Sequence, residues 1–150
     1  MTSLEKIYER FFDKITDDMY ILITEEETND QLYGLLESAI VYFRFPRFNS
    51  VDFDENGFSA DLTKEEIQII ATLMVVEWLK LQNNNIDLLK LKYTGAEFKI
   101  YSQANHIDKI ADWLTKYEKE NVELQHLYGK REITSTGAVS NYRRFVGRKG

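Results

Sequence analysis

Thr63-Lys64-Glu65-Glu66-Ile67-Gln68-Ile69-Ile70-Ala71-Thr72-Leu73-Met74-Val75-Val76-Glu77-Trp78-Leu79 is the stretch on which the architecture turns. Its apolar residues fall on nearly every face of a 3.6-residue helix. A helix without a polar face packs in the middle of a bundle, so this is the expected central helix. Thr63 and Glu66 form a capping box, in which a hydroxyl and a carboxylate three residues apart satisfy each other's free N–H groups. Gln68, Glu77 and Lys80 interrupt the apolar run, which is also too short to span a bilayer. Asn83-Asn84-Asn85 are poor helix formers and predict an end or kink near Gln82. A short amphipathic piece follows, with Ile86, Leu88, Leu89 and Leu91.

The same spacing of threonine and Glu/Gln recurs at Thr2–Glu5, Thr28–Gln31 and Thr94–Glu97, predicting three further helix starts. The first presents Leu4, Ile7, Tyr8, Phe11, Phe12 and Ile15 on one face. Residues 17–24 fit a strand or a helical turn equally. The second helix is predicted over about 29–43, with Leu32, Leu35, Leu36, Ala39, Ile40 and Phe43 inward, and Pro46 ends that stretch. The last helix starts near Glu97 and ends by Gly129. Its Ile107, Ile110, Leu114, Tyr117, Asn121, Leu124 and Tyr128 form a heptad seam, directed either at a partner or, as the favoured reading, at its own bundle. Between the second and third helices, Arg47–Phe53 and Phe58–Leu62 flank Asp54-Glu55-Asn56-Gly57. This reads as a small β-hairpin, because Asn-Gly suits a tight turn. The fold class is therefore mainly α: a helical bundle with a long C-terminal helix, a hairpin or loop at about 47–62, and an extended C-terminal tail.

Charge divides the chain at the same place as periodicity does. Residues 1–129 hold 13 Lys and Arg against 24 Asp and Glu, whereas 130–150 hold six basic residues and one acid. The expected organisation is a helical domain over 1–129 and a basic tail over 130–150, disordered alone and ordered on a partner. Tyr142-Arg143-Arg144-Phe145, with Arg148 and Lys149, interleaves aromatic and cationic side chains. Such a segment stacks on single-stranded nucleic acid or docks on an acidic protein groove. The acidic body disfavours broad phosphate contact and favours the protein partner.

Catalytic chemistry finds no foothold. The absence of cysteine removes disulfides, thiolate metal sites and thiol nucleophiles. His106 and His126, twenty residues apart, lack the spacing of a metal-binding pair. Asp52-x-Asp54-x-Asn56-Gly57 matches half of a calcium loop, but Ser59 and Thr63 stand where an apolar residue and a bidentate Glu are needed. Glu25-Glu26-Glu27 suits the positive end of a helix dipole. No glycine-rich phosphate loop or nucleophile elbow occurs. No enzyme activity, cofactor or metal is expected, and nothing in the N-terminal residues predicts a secretory signal.

Three stretches carry a resemblance: Ala39-Ile40-Val41-Tyr42-Phe43-Arg44-Phe45-Pro46-Arg47, Leu62–Leu79, and Phe98-Lys99-Ile100-Tyr101-Ser102-Gln103-Ala104-Asn105-His106. Together they resemble tailed-bacteriophage neck proteins of the head–tail connector or adaptor family. The likeness covers roughly residues 5–130 and leaves the last twenty outside. It implies a structural virion protein, made in the host cytoplasm, that forms a homo-oligomeric ring, commonly dodecameric, between portal and tail. DNA would pass non-specifically through the lumen, and no membrane is involved. Termini and loops in that family reach into neighbouring proteins. The resemblance therefore makes Phe48, Phe53 and Phe58 of the loop candidate partner contacts, beside Arg131, Tyr142, Arg143, Arg144, Phe145 and Arg148 of the tail. A DNA-associated regulator using the basic tail is the alternative.

Overall fold

The structure, a computed structural model, describes residues 1–15, 29–92, 109–133 and 139–142. Four helices run through them: α1 (Leu4–Lys14), α2 (Asn29–Ile40), α3 (Lys64–Lys92) and α4 (Ile110–Gly129). Two antiparallel hairpins join them, β1 (Phe53–Asp54) with β2 (Gly57–Phe58), and β3 (Arg131–Ile133) with β4 (Val139–Tyr142). The expected mainly helical fold is what the chain adopts.

Helix α3 is the axis of the domain and packs against α1, α2 and α4. Every residue from Ile69 to Val76 is buried, as are Trp78 and Leu79. Its start is the capping box: the Thr63 N–H donates to Glu66 Oε1 at 2.8 Å, and the Glu66 N–H donates to Thr63 Oγ1 at 3.1 Å. The helix does not end at Asn83-Asn84-Asn85 but runs on to Lys92, absorbing the amphipathic piece. Each asparagine costs a helix only about 0.7 kcal/mol or less relative to alanine. No proline or glycine lies in the stretch to enforce a stop.

The amphipathic faces settle as expected. Helix α1 buries Leu4, Ile7 and Phe11, and α2 buries Leu32, Leu36, Ala39 and Ile40. The heptad seam turns inward to its own bundle: Ile110, Tyr117 and Tyr128 are buried and Leu114 and Leu124 half-buried against the core. Asn121 meets Gln125 of its own helix at 2.9 Å. Helix α4 also clamps α1, because the Tyr117 hydroxyl donates to the Lys14 carbonyl at 2.7 Å and Lys14 Nζ reaches Glu120 at 2.8 Å. Among the described residues no helix is long and apolar enough to cross a membrane.

Three further expectations change. The Thr2–Glu5 capping box does not form; Ser3 stands at the N-cap without a side-chain cap bond. Thr2 is instead extended and bridges to Phe58, with N–H···O bonds of 3.0 and 2.8 Å in the two directions. Its hydroxyl donates to the Ala60 carbonyl and accepts from the Leu62 N–H. A strand partner offered more bonds than a helix end. Helix α2 stops at Ile40 and not near 43: the Tyr42 and Phe43 N–H groups bond instead to the Ala39 and Ile40 carbonyls in tighter turns, with Phe43 still buried. The chain after Lys130 is not without pairing of its own: the extended segments Arg131–Ile133 and Val139–Tyr142 form an antiparallel pair, with a register shift between Glu132 and Ile133. Ile, Val and Tyr favour strands, but a three-residue strand is too short to betray a period of two. Residues 17–24, the caps at Thr28 and Thr94, and the expected start of the last helix near Glu97 lie outside the described residues.

Candidate functional site: the 41–47 turn and its clasp

After α2 the chain must reverse to reach β1, and it does so through Val41–Arg47. Phe43 points inward, while Val41, Tyr42 and Phe45 are exposed, Phe45 at 88 %. Phe45 holds a φ of +53°, the one positive φ among the described non-glycine residues. The left-handed region costs an L-residue about 1–2 kcal/mol, and the following Pro46 further disfavours a helical backbone there.

Bonds on both sides hold this turn. Before Phe45, the Gln125 side chain accepts from the Arg44 N–H at 2.6 Å and donates to the Tyr42 carbonyl at 3.0 Å. After it, the Arg47 N–H donates to the Tyr128 hydroxyl at 2.9 Å. Strained residues persist where the surroundings over-determine them, and they cluster at functional positions. Gln125→Ala is expected to destabilise the domain by about 1–2 kcal/mol, through loss of two backbone partners. It should also speed hydrogen exchange at the Arg44 amide, and an unaltered exchange rate there would mean that Gln125 does not anchor the turn.

Beneath the turn lies a buried ionic clasp. The Glu66 side chain is fully buried and receives Arg47 in a fork, Nη2 on Oε1 at 2.7 Å and Nε on Oε2 at 3.1 Å. The Tyr128 hydroxyl adds a bond to Oε2 at 2.7 Å. Arg47 Nη2 also donates to the Asp61 carbonyl at 2.9 Å. One carboxylate thus joins the turn, the start of α3 and the end of α4. Hydrogen bonding to Glu66 raises the Arg47 pKa above its ordinary value, outweighing desolvation. Burial, followed by the bond to Glu66, pushes the Tyr128 phenol well above its ordinary value. Arg47 and Tyr128 are therefore held as cation and neutral phenol, and the clasp is built for rigidity rather than proton transfer.

The sequence contained a usable signal for Glu66. Glu66, Ile70 and Leu73 share one stripe of an otherwise apolar helix, so the carboxylate had to face the core. A buried carboxylate must be paired, and a cation elsewhere in the chain was therefore demanded.

The expected contact residues fall in three groups. Phe48 and Phe58 are core residues, 8 % and 0 % exposed, and Phe53 is half-buried. They belong to a run of ring contacts, Tyr128–Phe43–Phe48–Phe58–Phe53–Tyr33, with centroids 4.7–5.8 Å apart. As partner contacts Phe48 and Phe58 are corrected: burial of their own rings leaves them nothing to offer. Phe53 and Phe58 are register partners across the hairpin and so share its inner face. Arg131 and Tyr142 are brought together as register partners of β3 and β4. Arg143, Arg144, Phe145 and Arg148 lie outside the described residues, as do His106 and the Glu25–Glu27 run.

The half calcium loop is occupied as a turn, with the Asp54 side chain accepting from the Asn56 N–H at 2.8 Å. Among the described residues no group of carboxylates and histidines could hold a metal ion. No protein-family model, no curated protein and no solved structure matches this chain.

Proposed function

We propose that this chain is a structural virion protein of a tailed phage, a subunit of the neck ring between portal and tail, with DNA passing through the lumen. The observation that supports the reading best is the 41–47 turn: a strained, exposed aromatic segment, clamped from two helices and presented by a rigid body. That is the design of an assembly contact rather than a reaction centre. A body of net negative charge with a basic C-terminus supplies two unlike surfaces, as ring closure through heterologous contacts requires. An acidic lumen would also let DNA pass without adhering.

Electron microscopy with mass measurement on the purified protein, alone and with portal-containing particles, tests this. A ring, or density just below the portal, is the expected result. A monomer that ignores the particles and shifts DNA at low salt overturns the reading in favour of a DNA-associated regulator.

The tail contributes a second test. Because Ser140–Tyr142 belong to β4, the informative cut falls after Tyr142. Removal of residues 143–150 is expected to leave stability within about 0.5 kcal/mol. It should weaken assembly about tenfold, equivalent to about 1.4 kcal/mol. Wild-type incorporation of the shortened chain into particles counts against a docking role for the tail.

A further inference from the structure

We propose that Arg44 and Phe45 of one copy seat in a cleft of the next copy, formed where α1, the β1–β2 turn and the start of α2 meet. This names the subunit contact of the neck ring and rests on that reading.

The donor side is the turn already described. Its phenyl ring is 88 % exposed on a backbone of φ +53°. Next to it stands the exposed Arg44, its backbone fixed by Gln125. The chain thus keeps an apolar ring in water, beside a cation, on strained backbone that three hydrogen bonds maintain. Burial of that ring by a partner is the gain that such an arrangement makes available.

The receiving side has the complementary character. The cleft holds about 810 Å³ and is lined by Glu5, Tyr8, Asp30, Tyr33, Glu55 and Asn56, with no lysine or arginine among the described residues of its wall. That volume suits a drug-sized group, well above one aromatic side chain. Two phenol rings offer stacking surfaces to Phe45 and to a guanidinium. Three carboxylates give the wall a negative potential. Partial burial first, and then Glu37, Asp54 and Glu55, raise the Tyr33 phenol, in keeping with that potential.

The two features stand at opposite ends of α2. Asp30 and Tyr33 lie in its first turns, and Phe45 lies beyond its last residue. A helix of twelve residues is about 18 Å long. Phe45 therefore cannot enter the cleft of its own chain. A contact between unlike patches repeats head to tail, which generates a ring if the rotation closes.

The chain lacks cysteine, so engineered thiols report this contact directly. Full-length Arg44→Cys and Asn56→Cys proteins, both at exposed positions that leave Phe45 in place, are mixed and mildly oxidised. The mixed 44–56 dimer is expected to exceed either same-site dimer about tenfold. The double variant is expected to give a ladder of covalent oligomers. Adding Phe45→Asp should cut cross-linking about tenfold. Phe45→Gly should do the same while raising the melting temperature, because glycine relieves the positive φ. Same-site dimers as abundant as the mixed one, closure of the double variant within one chain, or indifference to both Phe45 variants overturns the contact. Particle binding is scored separately: a ladder without binding sinks the neck reading and leaves the contact standing. Binding with unselective cross-linking does the reverse.

Discussion

Arg47→Ala is expected to cost the fold about 3–5 kcal/mol, because it leaves the Glu66 carboxylate buried without its cation. That is a large part of the 5–15 kcal/mol by which a domain of this kind is stable. The magnitude follows from burial. Glu66 is fully enclosed and Arg47 is 14 % exposed, so water has little access to compensate. Thr63 N–H and the Tyr128 hydroxyl still donate to the orphaned carboxylate, and neither carries a full charge. Urea denaturation measures the loss. A change below about 1 kcal/mol would show that the pair behaves like a surface ion pair. The double replacement Arg47→Met with Glu66→Leu discriminates further. If the single loss reflects a stranded charge, removing both charges recovers much of it. If it reflects lost packing, the double variant is worse than either single one.

Gly57→Ala is the second large effect, expected at about 3 kcal/mol or more. The methyl group would stand 2.0 Å from the Thr2 carbonyl oxygen and 2.9 Å from the Ser3 Cα. Both are backbone atoms that no rotamer change can move. The φ of +137° is itself closed to alanine, at about 1–3 kcal/mol. Forcing the strands apart breaks the two Thr2–Phe58 bonds, each worth about 1 kcal/mol. Phe58, fully buried, then loses part of its cover. Asn56→Gly, one residue away in the exposed turn, is the control and should change stability by less than about 1 kcal/mol. Equal stabilities for Gly57→Ala and the wild type, with Thr2 amide exchange unaltered, would mean that the strand contact does not persist in solution.

Local pattern made the helices legible. Leu4, Ile7 and Phe11 repeat at three and four residues, and so do Leu32, Leu36 and Ala39, and each set is buried as one face. The Thr63–Glu66 cap was readable because both partners lie within one turn. Asn56-Gly57 placed the first hairpin, although the glycine proved to matter for close approach by Thr2 as well as for its positive φ. The sites were less legible, for a physical reason. Arg47, Glu66 and Tyr128 are 19 and 62 residues apart along the chain, and no periodicity connects them. Phe58 read as a loop aromatic because a two-residue strand carries no visible alternation, and Phe48 because it lies outside any strand. Phe45 was part of a resemblance, but its positive φ is a tertiary property that Gln125 and Tyr128 impose from eighty residues away.

The dependence of the clasp on the end of α4 also fixes an order of events during synthesis. Helix α3, apolar on almost every side, leaves the ribosome before the helix that covers it. At about 5–20 residues per second, the interval between Lys92 and Tyr128 lasts roughly 2–7 s. Throughout it Glu66 lacks the Tyr128 hydroxyl, and the surface that α4 covers stands open to other nascent chains. A transcript cut short before codon 128 should therefore yield aggregate rather than a smaller soluble bundle, and slower translation of that interval would prolong the hazard.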